Sequence, residues 1–422
     1  MRLMSAAGDR MADVTFPRVG VIGGGQLARM LAPAAEALGI RFSVLAETAD
    51  APATQVINEV SVGDYTDFAT LKAFAETVDV VTFDHEHVPP EHLQALAEAG
   101  HAIRPGPQAL IFAQDKILMR RRMDELGLPN PAWAEITSRA DVEAFAQRVG
   151  FPFILKTPRG GYDGKGVRVI DTLDEALTWL DEVGQLLAEE KVDFTRELAV
   201  MVGRSPMGQT AVWPVVETWQ QNGVCKEAIA PAPGLAVEKA TEITEAILKV
   251  AGALEVTGVM AMELFETAEG FLINEFAMRP HNTGHWTQDG AVTSQFEQHL
   301  RAVLDLPLGS PAAREDVSVM VNILGADHED LFHPYLHVMA HDPAVKVHLY
   351  GKGVRPGRKV GHVNAYGQDS DLVLARARHA ADFIAGVDVD PHPKMPAPAN
   401  LEATPAAGDS GGVSATSSDE RA

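Results

Sequence analysis

Val256-Thr-Gly-Val-Met-Ala-Met-Glu-Leu-Phe-Glu266 and Phe271-Leu-Ile-Asn-Glu-Phe-Ala-Met-Arg279, joined by Thr267-Ala-Glu-Gly270, are the stretch on which the reading of this chain turns. Both runs have the apolar, β-branched and aromatic character of buried strands, and the glycine of the joining turn can take a positive φ, so the pair predicts a β-hairpin. Each strand carries one glutamate inside its apolar run. A hairpin centred on this turn places Glu263 opposite Asn274 or Glu275, depending on whether the loop has two or three residues, and brings the two carboxylates together. Burial and like-charge proximity both oppose ionisation of such a pair. A hard cation satisfies both, and Glu and Asn oxygens are ligands that suit Mg²⁺. The plainer alternative is a one-sided sheet with one glutamate in solvent.

The residues that follow favour the first alternative. Arg279-Pro-His-Asn282 and Gly284-His-Trp286 place cationic, polar and aromatic groups directly after the second strand, an arrangement suited to an anionic substrate.

The chain has 422 residues, of which 46% are hydrophobic, enough for two or three domains with substantial cores. No apolar run reaches the roughly 18 residues of a membrane span, and the first ten residues lack the apolar core of a secretion signal; a soluble protein is expected. The lone Cys225 allows no intrachain disulfide and fits a reducing cytoplasm. A formal charge of −23 disfavours binding to a nucleic-acid backbone. Among the basic clusters, Arg120-Arg-Arg122 reads as a solvated helix face. Lys352-Gly-Val-Arg-Pro-Gly-Arg-Lys359 is glycine-rich and reads as an anion site.

Near the amino terminus a strand at Arg18–Ile22, the turn Gly23-Gly-Gly25, a helix from Gln26 to Leu38 and a strand at Phe42–Leu45 predict a βαβ start and a parallel sheet. Gly23-x-Gly25-x-x-Ala28 nearly matches the dinucleotide fingerprint, with Glu47 where a ribose-binding acid could stand. Asp84-His-Glu-His87 resembles metal-ligand spacing, although helix onset after a strand explains it equally. Gly127 and Pro129-Asn-Pro131 punctuate the entry to a new unit. There, the strand Phe151–Lys156 leads through Thr157-Pro-Arg-Gly-Gly-Tyr-Asp-Gly-Lys-Gly-Val167 into Val167–Ile170. A strand, not a helix, follows the glycines, so this is no Walker loop; glycine amides and bracketing lysines predict a hairpin that folds over phosphates. Leu186–Val192 predicts a further strand, with Glu197 after it. Beyond Pro311 a smaller unit closes with a helix at Leu372–Ile384, and the Pro-, Ala- and Ser-rich sequence after Pro391 predicts a disordered tail.

In chain order, Gly161-Tyr-Asp-Gly-Lys-Gly166, Met260-Ala-Met-Glu263, Ile273-Asn-Glu275, Arg279-Pro-His-Asn-Thr-Gly-His-Trp286 and Arg355-Pro-Gly-Arg-Lys-Val-Gly-His362 resemble the N5-carboxyaminoimidazole ribonucleotide synthetases of the ATP-grasp superfamily. The resemblance spans about residues 17 to 388. It implies a mixed α/β and α+β architecture: a flexible extension at 1–16, a Rossmann-like pre-ATP-grasp domain at 17–115, an ATP-grasp domain with its glycine-rich lid at 116–310, a small β-rich domain at 311–390 and a tail at 391–422. The implied activity is ATP-dependent carboxylation of aminoimidazole ribonucleotide by bicarbonate through carboxyphosphate, in purine biosynthesis, by a cytoplasmic homodimer. ATP and Mg²⁺, with Mn²⁺ as a substitute, are the implied cofactors.

Carried over by motif, Lys116 and Lys156 meet ATP phosphates, and Gly161, Tyr162, Asp163, Gly164, Lys165, Gly166 and Val167 form the lid. Glu189, Glu190, Lys191 and Val192 meet the adenine, Glu197 the ribose and Gln220 the adenosine, while Glu263, Asn274 and Glu275 hold the metal. Asp163, Arg279, His281 and Asn282 are the implied catalytic set, and Lys352, Arg355 and Arg358 join the last three of these around the ribonucleotide. The family often has His where Gln220 stands and Arg where Lys116 stands. Three other readings remain: another ATP-grasp carboxylate-amine ligase, such as a formate-dependent glycinamide ribonucleotide transformylase; a nicotinamide-dependent oxidoreductase using Gly23 to Ala28; and a non-enzymatic binding module.

Overall fold

The computed structural model describes residues 16–161, 166–221, 223–326 and 329–387. Five parallel strands open the chain: β1 (Arg18–Ile22), β2 (Arg41–Ala46), β3 (Glu59–Val62), β4 (Val80–Phe83) and β5 (Ala102–Ile103), in the order β3-β2-β1-β4-β5. Short helices, among them Gln26–Ala37, connect them. The order reverses at β1, whose carboxyl end carries the Gly23–Gly25 turn; open parallel sheets bind ligands at such a switch point.

A four-stranded antiparallel sheet follows, made of β6 (Trp133–Ile136), β7 (Phe153–Lys156), β8 (Val167–Ile170) and β9 (Leu186–Glu190) in the order β6-β9-β7-β8. The glycine-rich hairpin is present as expected, with Lys156 opposite Val167 and the Thr157 amide donating to the Gly166 carbonyl at 2.9 Å. Tyr162, Asp163, Gly164 and Lys165 lie outside the described residues.

The largest sheet has nine strands: β10 (Arg196–Arg204), β11 (Thr210–Val212), β12 (Val216–Gln221), β13 (Val224–Ala230), β14 (Gly258–Glu266), β15 (Phe271–Ala277), β16 (Val317–Leu324), β17 (Lys346–Leu349) and β18 (Lys359–Gly367). It runs through residue 311 without a break, because β13 pairs with β16. The domain divisions read from the sequence therefore stand as a proposal about folding units that share one sheet.

Helix Val237–Ala253 covers one face of this sheet. Its buried Ile243, Ala246, Ile247, Val250 and Ala251 repeat at helical spacing, and they pack with Leu198 and Val200 of β10 and Met260, Met262 and Leu264 of β14. Each such fully buried aliphatic side chain contributes about 1.5–3 kcal/mol. Since side chains alternate along a strand, the intervening Glu197 and Glu263 are directed to the opposite face. Helix Ser370–Ala385 covers the other end of the sheet through Val373, Ala377, Ala380 and Ile384.

Candidate functional site

The hairpin settles the alternative left open by the sequence. In β14 and β15, Leu264 pairs with Ile273, yet Glu263 pairs with Glu275, so Asn274 is an extra residue in the second strand. This β-bulge aligns the two glutamates. Both line an open cleft of about 870 Å³. Glu263 keeps 18% of its side-chain surface, and its carboxyl is pushed up to about 8 by burial first, then by Glu275 and by Glu197. Glu197 stands one strand away, where burial raises its carboxyl to about 7. Glu275 beside them is exposed to the cleft, and three carboxyls on one face are a demand for positive charge. Among the described residues no group of three His, Cys, Asp or Glu side chains is assembled for a metal ion. That is compatible with Mg²⁺, which is held by one or two carboxylates and completes its shell with water and substrate phosphate. Glu263 and Glu275 fit such an ion as direct ligands, and the Asn274 side-chain oxygen is already engaged by Lys156 at 3.3 Å.

Behind the hairpin lies a buried charged group. Lys156 Nζ is 2.7 Å from Glu189 Oε2, and Arg120 Nε is 2.6 Å from Glu189 Oε1. Burial opposes ionisation of Glu189, but Arg120 and Lys156 outweigh it and hold the carboxyl down to about 2. This corrects one expectation. Arg120 is fully buried, unlike Arg121 and Arg122, so the basic triplet is not simply a solvated face. The Glu189 carboxylate is directed to these two cations, and Glu190 Oε1 accepts the Ala132 amide at 2.8 Å, so the side chains of both residues are engaged within the protein. Lys116 lines the cleft at the start of a helix capped by the Asp115 carboxylate. Burial lowers its pKa while Glu275 opposes the shift most.

The loop after β15 supplies the next wall. Arg279 Nε donates to Glu86 Oε2 at 2.8 Å; burial disfavours its charge, and Glu86 more than restores it. Glu86 belongs to the Asp84–His87 run, which carried no assigned role in the sequence; a buried cation needing a counter-charge was the signal for it. His281 Nε2 lies 3.6 Å from Glu263 Oε1. Burial, then Arg279, pulls the imidazole well below its ordinary value, so it is neutral. The Gln295 amide holds its backbone by accepting from the His281 N–H at 2.7 Å and donating to its carbonyl at 2.8 Å. Asn282 lines the cleft, and neither atom of its buried amide bonds to a nitrogen or oxygen of the described residues. An unmade hydrogen bond of that kind costs about 1–3 kcal/mol, and a polar ligand would relieve it.

Lys352, Arg355, Arg358 and Lys359 also line the cleft. Lys352 Nζ donates to Gln26 Oε1 at 2.6 Å, which ties this late segment to the first helix. The structure thus brings Lys116, Gly161, Glu263, Glu275, Arg279, His281, Asn282, Lys352, Arg355 and Arg358 to one cleft; Lys156, Glu189, Glu190, Lys191, Val192, Glu197, Gln220 and Asn274 do not line it.

The dinucleotide reading of the glycine turn fails on chemistry. Its amides are taken by the protein's own carboxylates: Gly24 N–H donates to Glu47 Oε2 and Leu27 N–H to Asp84 Oδ1, each at 3.1 Å. A Cβ on Gly25 would lie 2.0 Å from Asp84 Oδ2. The glycines admit Asp84, and a second anion would meet charge repulsion where a pyrophosphate would need to sit.

Three successive stretches of the chain match known protein families. Residues 16–114 match the ribonucleotide synthetase preATP-grasp domain, 121–296 the ATP-grasp domain and 318–376 the phosphoribosylaminoimidazole carboxylase C-terminal domain. The N5-carboxyaminoimidazole ribonucleotide synthase of Mycobacterium tuberculosis is 49% identical over 397 residues, covering 91% of this chain and 92% of that protein. That of Corynebacterium ammoniagenes is 49% identical over 381 residues, covering 87% and 92%. Among solved structures, the synthetase of Thermus thermophilus superimposes with a TM-score of 0.78 at 38% identity, covering 89% of this chain and 99% of that one. The Aspergillus clavatus enzyme in complex with ADP and 5-aminoimidazole ribonucleotide does so with 0.78 at 30% identity, covering 88% and 100%.

Proposed function

Because the chain belongs to the N5-carboxyaminoimidazole ribonucleotide synthase family of ATP-grasp ligases, we propose how its own residues carry out ATP-dependent carboxylation of 5-aminoimidazole ribonucleotide. The observation that carries the proposal is a glutamate pair and a set of basic residues lining one cleft. ATP lies between the glycine hairpin and the nine-stranded sheet, its phosphates directed at Lys116, Lys156 and the hairpin amides. Glu263 and Glu275 would hold Mg²⁺, which would supply neutralisation of phosphate charge.

Bicarbonate is the carboxyl source. One of its oxygens bonds to the γ-phosphorus as the bond to ADP breaks, giving carboxyphosphate. The exocyclic amine of the ribonucleotide then bonds to the carboxyl carbon, phosphate leaves with its electron pair, and the amine gives up one proton. The departing phosphate is basic enough to take that proton, and neutral His281 can accept a hydrogen bond from the amine. Arg279, fixed by Glu86, and the unpaired Asn282 amide orient bicarbonate and the imidazole ring. Lys352, Arg355 and Arg358 bind the 5′-phosphate, for which the arginine fork is suited.

A homodimer in the cytoplasm is the proposed working form. For the compartment, the sequence's lone cysteine, Cys225, is buried and free, which fits a reducing environment. The test is phosphate release from Mg-ATP and bicarbonate, with and without the ribonucleotide. Ribonucleotide-stimulated release that Glu275→Gln abolishes is the expected result. A folded wild-type protein without that stimulation would sink the reading.

A further inference from the structure

Arg120 does not line the cleft, yet its contacts converge on the hairpin. Its Nη2 donates to the Asn274 carbonyl at 2.8 Å, and its Nη1 donates to the Ile273 carbonyl and, at 3.1 Å, to Asn130 Oδ1. Its Nε holds Glu189, which in turn holds Lys156.

Consecutive carbonyls of a regular strand point to opposite sides. One guanidinium can grasp those of Ile273 and Asn274 only because the strand is irregular there. The packing records the same irregularity. Phe271 and Ile273 face the core under the sheet, and so do Phe276 and Met278, so the buried positions change from odd to even across Asn274. Continuing the Leu264–Ile273 pairing without the extra residue would set Glu263 against Asn274 and Glu275 against Met262. A slip of one residue sends a side chain to the other face; Glu275 would leave the cleft for the core.

We infer that Arg120 is a positioning residue of the metal site: by gripping the bulge it fixes the register that brings Glu275 beside Glu263, and through Glu189 it sets Lys156 against the same bulge. The inference rests on the metal role proposed for the two glutamates. An arginine is required because the task is to span two carbonyls and a carboxylate at once. Lysine supplies the charge for Glu189 but has a single nitrogen, without the planar fork.

The test uses full-length Arg120→Lys. Mn²⁺ binding to the ADP complex is followed by the electron paramagnetic resonance of free Mn²⁺, beside kcat, KM for the ribonucleotide and the urea midpoint. The expected result is Mn²⁺ affinity weakened about tenfold or more, with kcat falling in parallel, the range seen when groups supporting metal ligands are lost. KM for the ribonucleotide stays within about twofold, since the rim that binds its phosphate is built elsewhere. A merely structural role would lower the urea midpoint and leave metal affinity in the folded protein unchanged. Folded Arg120→Lys with Mn²⁺ affinity less than about fivefold weaker than wild type would overturn the inference.

If that variant does not fold, Asn130→Ala decides. It removes one partner of the guanidinium and the Asn130 Nδ2 bond to the Arg120 carbonyl. Weakening of Mn²⁺ binding by about threefold or more supports the role, and a smaller change refutes it. Wild-type protein that binds no Mn²⁺ with ADP would defeat the metal assignment itself, a result distinct from either variant's failure.

Discussion

Glu263→Gln is expected to stabilise the metal-free protein while destroying its use of the metal, and the size of the effect follows from the environment of that one carboxyl. Burial and the neighbouring Glu275 and Glu197 raise it from 4.5 to about 8. A carboxyl raised on folding contributes stability that is fully present below its unfolded value and is lost as pH climbs toward the folded one. At pH 7 the chain lies about 2.5 pH units above the unfolded value, and at 1.36 kcal/mol per unit that is about 3 kcal/mol of lost stability. Cleft water reaching the exposed part of Glu263 reduces this to about 2 kcal/mol. Glutamine has no proton to hold and is spared the loss. In EDTA, the urea midpoint of Glu263→Gln should therefore exceed that of wild type at pH 7, by a margin that shrinks toward zero near pH 5. With Mg-ADP the order should reverse, because ligand bound only to the native state stabilises wild type alone. A difference that is independent of pH, or a variant less stable than wild type throughout without metal, would refute the electrostatic argument.

Three further outcomes follow. Gly25→Ala should lower the thermal midpoint and the affinity for the ribonucleotide together, because its Cβ meets Asp84 Oδ2 at 2.0 Å; a loss of about 1–3 kcal/mol is expected, checked by calorimetry. Glu86→Gln should raise KM for the ribonucleotide about tenfold or more, since the buried Arg279 loses its charged partner; steady-state kinetics with an unchanged KM would contradict the pairing. Cys225, whose thiol burial pushes up to about 12, should resist a thiol reagent at about pH 8 until urea unfolds the protein, as a colorimetric thiol assay will show.

The strand pair, the glycine hairpin, the parallel sheet and the basic late segment were all legible in local pattern, because period, turn chemistry and composition are properties of neighbouring residues. What the sequence left open were matters of partnership. Whether Glu263 faces Asn274 or Glu275 depends on a bulge held by Arg120, a residue 153 positions from Ile273, and nothing in the amphipathic helix pattern around Arg120 distinguishes it from its solvated neighbours. Glu86 likewise acquires meaning only when Arg279 arrives 193 positions later. The near-match to a dinucleotide fingerprint was a true reading of a tight turn and a false one of its purpose, since the carboxylates that fill it come from other strands.

The bond between Gln26 and Lys352, 326 positions apart, also bears on when the cleft comes into being during synthesis. The ribosome delivers the glycine turn first, the glutamate hairpin well over half way along, and the basic rim only near the end. Because domains fold as they emerge, a nascent chain can own a finished parallel sheet and a paired hairpin while still lacking the basic residues proposed to hold the ribonucleotide phosphate. On the roles proposed above, ribonucleotide-stimulated turnover is therefore expected only of a chain that extends through Lys359.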